Sequence, residues 1–401
     1  MESWSNISLE LTKILSKEVK KSNGIYFTPY QIVKETIKSI TGDNVNYFKN
    51  ILEPSCGSCQ FIDILDSELK FETLYGVEKN EKIFKEINKI TFKNNVKLLN
   101  LDFLDFSTDL SFDLIIGNPP YFVIPKKGIQ SEYLKYFDGR PNIYSLFLIK
   151  SLKLLSINGI LAFVLPKNFL NCIYYNKLRK EIYSNYEILA IIDHSDKNYI
   201  ETDQGTCVII IQNNKNDNKN DNKNNNDIFT IIKNSIYIFN TPENIKKLNQ
   251  LYSHSNTLSS LGYTVNIGNI VWNQVKDKLT DDSSKTLLIY SSDIKNKLLV
   301  PQRYSNSSKK NYINLPGTTD KCIVVNRGYG TGKYKFSYCI IDTPKEYLIE
   351  NHLIIIKGNN NNNYEVLVKS FENEKTSEFI ELMFGNNAIN CQELLHLFPI
   401  Y

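Results

Sequence analysis

At 401 residues the chain exceeds one ordinary hydrophobic core and suits two domains of about 150 to 250 residues each. Its 42% hydrophobic and 22% charged residues fit a globular protein, and its longest apolar runs, Gly159 to Pro166 and Cys207 to Ile211, are strand-sized rather than membrane spans. Seven cysteines, an odd number spread along the whole length, argue against a disulfide framework, and no leader pattern opens the chain, so a reduced cytosolic or nuclear protein is expected. With four histidines, no Cys/His cluster has metal-ligand spacing beyond one CxxC pair, and no metal is expected.

From Asn50 onward, short apolar runs alternate with helical patterns in the manner of a parallel α/β sheet. Strands are predicted at Ile51–Glu53, Thr73–Glu78, Val96–Leu101, Asp113–Gly117, Gly159–Leu165, Glu187–Asp193 and Thr206–Gln212. Helical stretches fall at Glu81–Ile90, Ile143–Leu155 and Asn176–Ser184, where apolar residues recur every three or four positions. The last two strands follow one another without a long helix, so the sheet is expected to end in an antiparallel pair. The fold class this suggests is α/β, with a Rossmann-like seven-stranded sheet of the methyltransferase kind.

Asn213 to Asn226 contains only Asn, Lys and Asp and reads as a disordered surface loop, as does the later run Asn359 to Asn363. A strand-like segment, Ile228–Phe239, then leads to a helix-like one near Glu243–Tyr252. The domain boundary is set close to Asn240, giving segments 1–239 and 240–401, the second of mixed α+β character. The net charge of +4 is too small to imply nucleic acid, but its distribution is uneven. Lys295 to Lys345 holds ten Lys/Arg against Asp320 and Asp342 alone, the pattern of a phosphate-binding face or of a plain solvated surface.

Four phrases carry chemistry. Glu53-Pro54-Ser55-Cys56-Gly57-Ser58-Cys59 follows the first strand, where a small-residue turn lets backbone N–H groups approach a ligand at the carboxyl edge of the sheet. Taken alone it is equally a tight structural turn, and the Cys56/Cys59 pair has no second pair to complete a zinc site. Glu78 ends the next strand, about 20 positions on, and can accept hydrogen bonds from both hydroxyls of a ribose. Asp102-Phe103 ends the third and suits an adenine amino group and ring face, although each of these residues could also cap its strand. After the fourth strand comes Asn118-Pro119-Pro120-Tyr121. Two prolines cannot continue a ladder, so they fix a rigid loop in which an amide oxygen and a carbonyl can both accept hydrogen bonds from a substrate amino group. Tyr121 offers a flat surface for a planar base.

In this order of phrases the sequence resembles the γ-class DNA N6-adenine methyltransferases of restriction–modification systems. Their Thr-Pro element, upstream of the glycine turn, is matched by Gly24-Ile25-Tyr26-Phe27-Thr28-Pro29. The resemblance covers nearly the whole chain and implies an AdoMet pocket lined by Tyr26, Thr28, Pro29, Glu53, Pro54, Cys56, Gly57, Glu78, Asp102 and Phe103. It implies that Asn118 and Pro119 hold the N6 of an adenine flipped out of duplex DNA while Tyr121 stacks on the ring. A second stacking aromatic is expected before the last strand, and Tyr199 is the candidate. The glycine turn departs from the commoner form, with Cys59 and Gln60 where a small residue and Gly are frequent.

In the C-terminal half, Gly268-Asn269-Ile270-Val271-Trp272-Asn273-Gln274 and Leu287-Leu288-Ile289-Tyr290 resemble phrases of target recognition domains. Arg327-Gly328-Tyr329-Gly330-Thr331-Gly332-Lys333 is a basic loop that could reach phosphates or base edges, or a plain hairpin turn. Arg327, Tyr329 and Lys333 are the candidate DNA contacts. The resemblance thus implies direct methyl transfer from AdoMet to adenine N6, by the modification enzyme of a system that also holds a cognate restriction endonuclease. RNA or protein-glutamine methylation is the alternative, since both use Asn-Pro-Pro-Tyr chemistry.

Overall fold

Seven strands form one sheet: β1 (Tyr47–Glu53), β2 (Lys70–Val77), β3 (Val96–Leu99), β4 (Phe112–Gly117), β5 (Leu155–Pro166), β6 (Glu187–Asp193) and β7 (Thr206–Gln212). The computed structural model describes residues 4–42, 47–137, 139–195, 205–214, 225–306, 308–328, 334–359, 363–384 and 388–401. The strand order is β3-β2-β1-β4-β5-β7-β6, with β7 antiparallel to both of its neighbours. This is the expected methyltransferase sheet. All the parallel strands run the same way, so the loops after β1, β2, β3 and β4 gather at one edge.

The strand sequences explain the two buried faces. Successive side chains point to opposite sides of a strand, and in β4 Leu114 and Ile116 enter one core while Ile115 enters the other. The same alternation separates Ile51 from Leu52 in β1, and Val208 and Ile210 from Cys207, Ile209 and Ile211 in β7. Helices α1 (Asn6–Ile14), α2 (Lys17–Asn23), α3 (Tyr30–Thr41), α4 (Gln60–Glu68), α5 (Glu81–Ile87), α6 (Ser131–Leu134), α7 (Ile143–Leu154) and α8 (Asn176–Asn185) surround the sheet. One face takes Ile32, Val33 and Ile37 of α3 with Phe61, Ile62 and Leu65 of α4; the other takes Phe147 and Leu148 of α7 with Leu178 and Ile182 of α8. Each such aliphatic or aromatic side chain contributes about 1.5 to 3 kcal/mol on burial, so both helix layers are held by their apolar stripes.

Contacts divide the chain into two units, Met1–Ile232 with Ile236–Ile245, and Lys233–Ser235 with Lys246–Tyr401. In the second unit, strands Thr264–Ile267, Leu353–Lys357, Cys322–Asn326 and Tyr338–Ile341 form one four-stranded sheet in that order. Leu279–Thr280, Tyr312–Ile313, Thr286–Ile289 and Tyr347–Ile349 form another, and the two share a core of Leu287, Ile289, Val324, Cys339, Tyr347 and Leu353. Helices Tyr364–Phe371, Glu374–Met383 and Cys391–His396 complete it, giving the mixed α+β character expected.

Three expectations are corrected. The ends of the Asn/Lys/Asp tract are structural: Asn226 is fully buried, donates to the carbonyls of Tyr183 and Tyr186 and accepts from Ile188 N. Asn213 likewise donates to Leu155 and Ser156, while residues 215–224 lie outside the described ones. Ile228–Phe239 is not one strand but the hairpin Thr230–Lys233 and Ile236–Phe239, turned at Asn234 and Ser235, whose φ values of 49° and 62° suit a two-residue hairpin turn. The last residue of the second Asn run is structural too: Asn363 caps the helix Tyr364–Phe371 by accepting from Glu365 N. All seven cysteines are free thiols.

Candidate active site

The loop after β1 turns through Ser55 to Ser58 and enters α4 at Cys59, whose φ of 61° makes the tight entry. Gly57 N donates to Glu78 Oε2 at 3.0 Å and Asn80 N donates to Glu78 Oε1 at 2.6 Å, so one carboxylate ties the turn after β1 to the end of β2. Burial raises the Glu78 pKa from 4.5 to about 7, against the pull of those backbone donors. Glu53, at the end of β1, is 2% exposed, and burial, with Cys59 and Glu78 nearby, pushes it well above the usual carboxylate range. Burial also pushes the Cys56 thiol up, which leaves it a poor nucleophile.

A cleft of about 250 Å³ opens here, lined by Tyr26, Phe27, Thr28, Glu53, Ser55, Cys56, Gly57, Ser58, Gln60, Phe61 and Asn118. Its lining joins the Thr-Pro element, the turn after β1 and the start of the Asn-Pro-Pro-Tyr loop, which lie far apart in sequence. Two of its buried atoms, Glu53 Oε2 and Gln60 Nε2, have no hydrogen-bond partner. An unsatisfied buried polar atom costs about 1 to 3 kcal/mol, so an acceptor and a donor left open in one cleft suit a ligand that supplies both complements.

Asn118 sits at the end of β4. Its Nδ2 donates to Thr28 Oγ1 at 3.0 Å and to the Tyr26 carbonyl at 3.3 Å, and its Oδ1 accepts from the Tyr121 hydroxyl at 2.5 Å. That hydroxyl also lies 2.9 Å from the Val164 carbonyl of β5, and Ser55 Oγ donates to the Asn118 carbonyl at 3.2 Å. The Tyr121 ring meets Tyr144 of α7 edge-on, with centroids 5.9 Å apart. Gly24 ends α2 with φ at 61° and lies against this loop: a Cβ there would stand 2.5 Å from Tyr121 N. Only glycine fits that approach.

Of the residues singled out from the sequence, Tyr26, Thr28, Glu53, Cys56, Gly57 and Asn118 line the cleft together. Glu78 joins them through its bond to Gly57. Pro29 begins α3, and Pro54 is buried beside Gly117. Asp102 accepts from Leu104 N and pairs with Lys79 at 2.7 Å. Phe103 is a correction: it is 1% exposed, with its ring against Phe106 and Phe147 and the Lys150 ammonium 5.1 Å from its centroid, so no ring face is open. Tyr199, Tyr329 and Lys333 lie outside the described residues. In the second unit Arg327 donates from Nη1 to the Asn351 carbonyl at 3.2 Å. Phe27, Ser55, Ser58, Gln60 and Phe61 line the cleft without having been singled out, although each stands inside or beside a quoted phrase.

A sequence profile of the Eco57I restriction-modification methylase family matches residues 11–200, which span the whole cleft. The type II methyltransferase M.CvrRI of Paramecium bursaria Chlorella virus XZ-6E is 29% identical over 399 residues, covering 97% of each chain. The modification methylase CviBIII of Paramecium bursaria Chlorella virus NC1A is 28% identical over 420 aligned positions, covering all of both chains. The chain is a DNA methyltransferase, similar along its whole length to enzymes of restriction–modification systems. Among solved structures, this methyltransferase is 17% identical to the type I restriction-modification methyltransferase subunit from Streptococcus thermophilus, with a TM-score of 0.41 over 63% of this chain and 59% of that one. In this methyltransferase the relatedness to the two viral enzymes extends through the second unit as well as the first.

Proposed function

We propose that this methyltransferase transfers a methyl group from AdoMet to the N6 of an adenine flipped out of duplex DNA. The observation that carries this reading is the orientation of Asn118 at the cleft, with both amide N–H groups turned inward and its oxygen turned toward Tyr121. An amide oxygen and a rigid proline carbonyl are acceptors, and a substrate amino group is the donor they match.

The cleft fits the cofactor by its chemistry. Glu53 Oε2 and Gln60 Nε2 are an open acceptor and an open donor, complementary to the ammonium and carboxylate of an amino acid. Glu78 would accept from the ribose hydroxyls. AdoMet, when bound, supplies a methyl group on a sulfonium, ready for direct displacement. Asn118 Oδ1 and the Pro119 carbonyl accept the two N–H bonds of the adenine amino group, hold the nitrogen in line, and stabilise the positive charge that grows on it. Tyr121 supports one ring face of the flipped base, and Tyr199 is assigned the other. Extruding the base costs a few kcal/mol, which stacking and the two acceptors offset.

Catalysis is assigned to segment 1–239 and DNA reading to segment 240–401, with Arg327, Tyr329 and Lys333 as contacts. A cognate restriction endonuclease sharing the recognition site is the expected partner. The test is Asn118→Ala: methyl transfer to unmethylated plasmid DNA should be lost while AdoMet binding stays. Transfer at the wild-type rate would refute the assignment.

A further inference from the structure

Amide groups are ambiguous by shape alone, because the oxygen and the NH2 are nearly interchangeable. At Asn118 the surroundings decide. The Tyr26 carbonyl can only accept, so the group 3.3 Å from it is the NH2, and the reversed amide would set two oxygens against each other. The second N–H goes to Thr28 Oγ1 at 3.0 Å, and Thr28 is itself buried at 5% exposure. Both donors are thereby held by one short segment that precedes the sheet, and the single acceptor of the side chain is left on the opposite side.

We propose that Thr28 is a positioning residue for the methyl transfer: its hydroxyl, with the Tyr26 carbonyl, fixes the Asn118 amide so that Oδ1 faces the incoming amino group. This rests on the reading of Asn118 given above and assigns Thr28 a task other than lining a cofactor pocket. The Tyr121 hydroxyl stands on Oδ1 at 2.5 Å in this structure, but its one proton has a second acceptor, the Val164 carbonyl at 2.9 Å. Turning that proton to Val164 releases Oδ1 to the substrate and leaves the phenol hydrogen-bonded. The Thr-Pro segment thus acts on the chemical step through Asn118, although its own side chain touches no reacting atom.

Thr28→Val removes the hydroxyl and keeps the branched shape; Thr28→Ser keeps the hydroxyl. With the full-length protein, saturating tritiated AdoMet and unmethylated plasmid DNA, the single-turnover rate of Thr28→Val should fall about tenfold or more, and that of Thr28→Ser should stay within about threefold of wild type. Because Thr28 also lines the cleft, AdoMet Kd is measured for both variants, and any change in it should be smaller than the fall in the Thr28→Val rate. Thermal melting checks the fold, and if Thr28→Val does not fold, Thr28→Ala against Thr28→Ser makes the same comparison. Thr28→Val at the wild-type rate, Thr28→Ser as slow as Thr28→Val, or a loss that follows AdoMet affinity alone would overturn the proposal. Asn118→Ala run in parallel separates the two claims. If it is inactive while Thr28→Val is not, only the positioning role fails; if it keeps wild-type activity, the reading beneath it fails too.

Discussion

Gly57 and Glu78 are joined by a 3.0 Å hydrogen bond from the Gly57 backbone N–H to Glu78 Oε2, across the edges of two neighbouring strands. That bond fixes the turn after β1 on a carboxyl group whose pKa is raised to about 7 by burial. A carboxyl with a higher pKa folded than unfolded keeps its proton longer in the fold, so stability falls as pH rises from the ordinary value of 4.5 toward about 7. A ligand that donates hydrogen bonds to the same carboxylate favours its charged form, so affinity moves the other way. AdoMet binding should weaken by up to about tenfold for each pH unit below about 7, and binding near that pH should release a proton. Burial also pushes Glu53 and Cys56 upward at the same turn, so Glu78→Gln, which keeps the shape of the side chain and removes its titration, isolates the share that belongs to Glu78. Calorimetry from about pH 6 to about pH 8 checks this. A flat profile in the wild type, or an unchanged profile in Glu78→Gln, would contradict it.

Gly24 gives a test of the loop itself. Gly24→Ala meets a left-handed φ of 61° and a backbone atom, Tyr121 N, 2.5 Å from the new Cβ. Gly262→Ala is the control, with φ at 77° and open space within 4 Å. The control should lose about 1 kcal/mol of stability from backbone strain alone and keep its methylation rate. Gly24→Ala should lose more stability and also slow methyl transfer, because the segment that must yield carries Tyr121 and lies next to Asn118. Equal melting temperatures and equal rates for the two variants would remove the loop contact from the account.

Charge in the second unit makes a graded prediction about DNA. Lys297, Lys310 and Lys321 already pair with Glu372, Asp281 and Asp342, at 2.6, 2.5 and 2.8 Å. Arg327 spends one donor on a backbone carbonyl and keeps its charge unpaired by any carboxylate within ion-pair distance among the described residues. The log of DNA affinity should fall linearly with the log of salt concentration, and replacing Arg327 and Lys333 together by Ala should flatten that slope by about two phosphate contacts at most. Lys310→Ala should change it less. Salt titrations of the three proteins decide, and an unaltered slope in the double variant would exclude this loop from phosphate contact.

The sheet was legible because burial on both faces forces continuous apolar runs, and Glu187–Asp193 and Thr206–Gln212 match their predicted limits to the residue. β5 starts four residues before its predicted Gly159, because Leu155 pairs with Phe112 and the ladder then shifts register across a bulge that periodicity does not reveal. Cleft residues were legible where backbone chemistry demands a residue type, as at Gly57 and Asn118. Phe103 was misread as open because a strand-end aromatic looks the same whether it faces a ligand or α7. Asn226 was misread for a related reason: composition marks a polar tract as solvated, but one asparagine at its end satisfies three backbone groups. The Thr28 to Asn118 bond spans 90 residues and could be found only in three dimensions.

The most direct measurement is the chemical identity of the methylated product. Duplex plasmid DNA from a methylation-deficient host, incubated with the full-length protein and tritiated AdoMet, is digested to nucleosides and resolved by liquid chromatography with mass detection. The account predicts that the label elutes with N6-methyldeoxyadenosine and that sequencing finds the modified adenines at one recurring site. Label in a methylated deoxycytidine, or label taken up by RNA or protein while DNA stays unmodified, would contradict it.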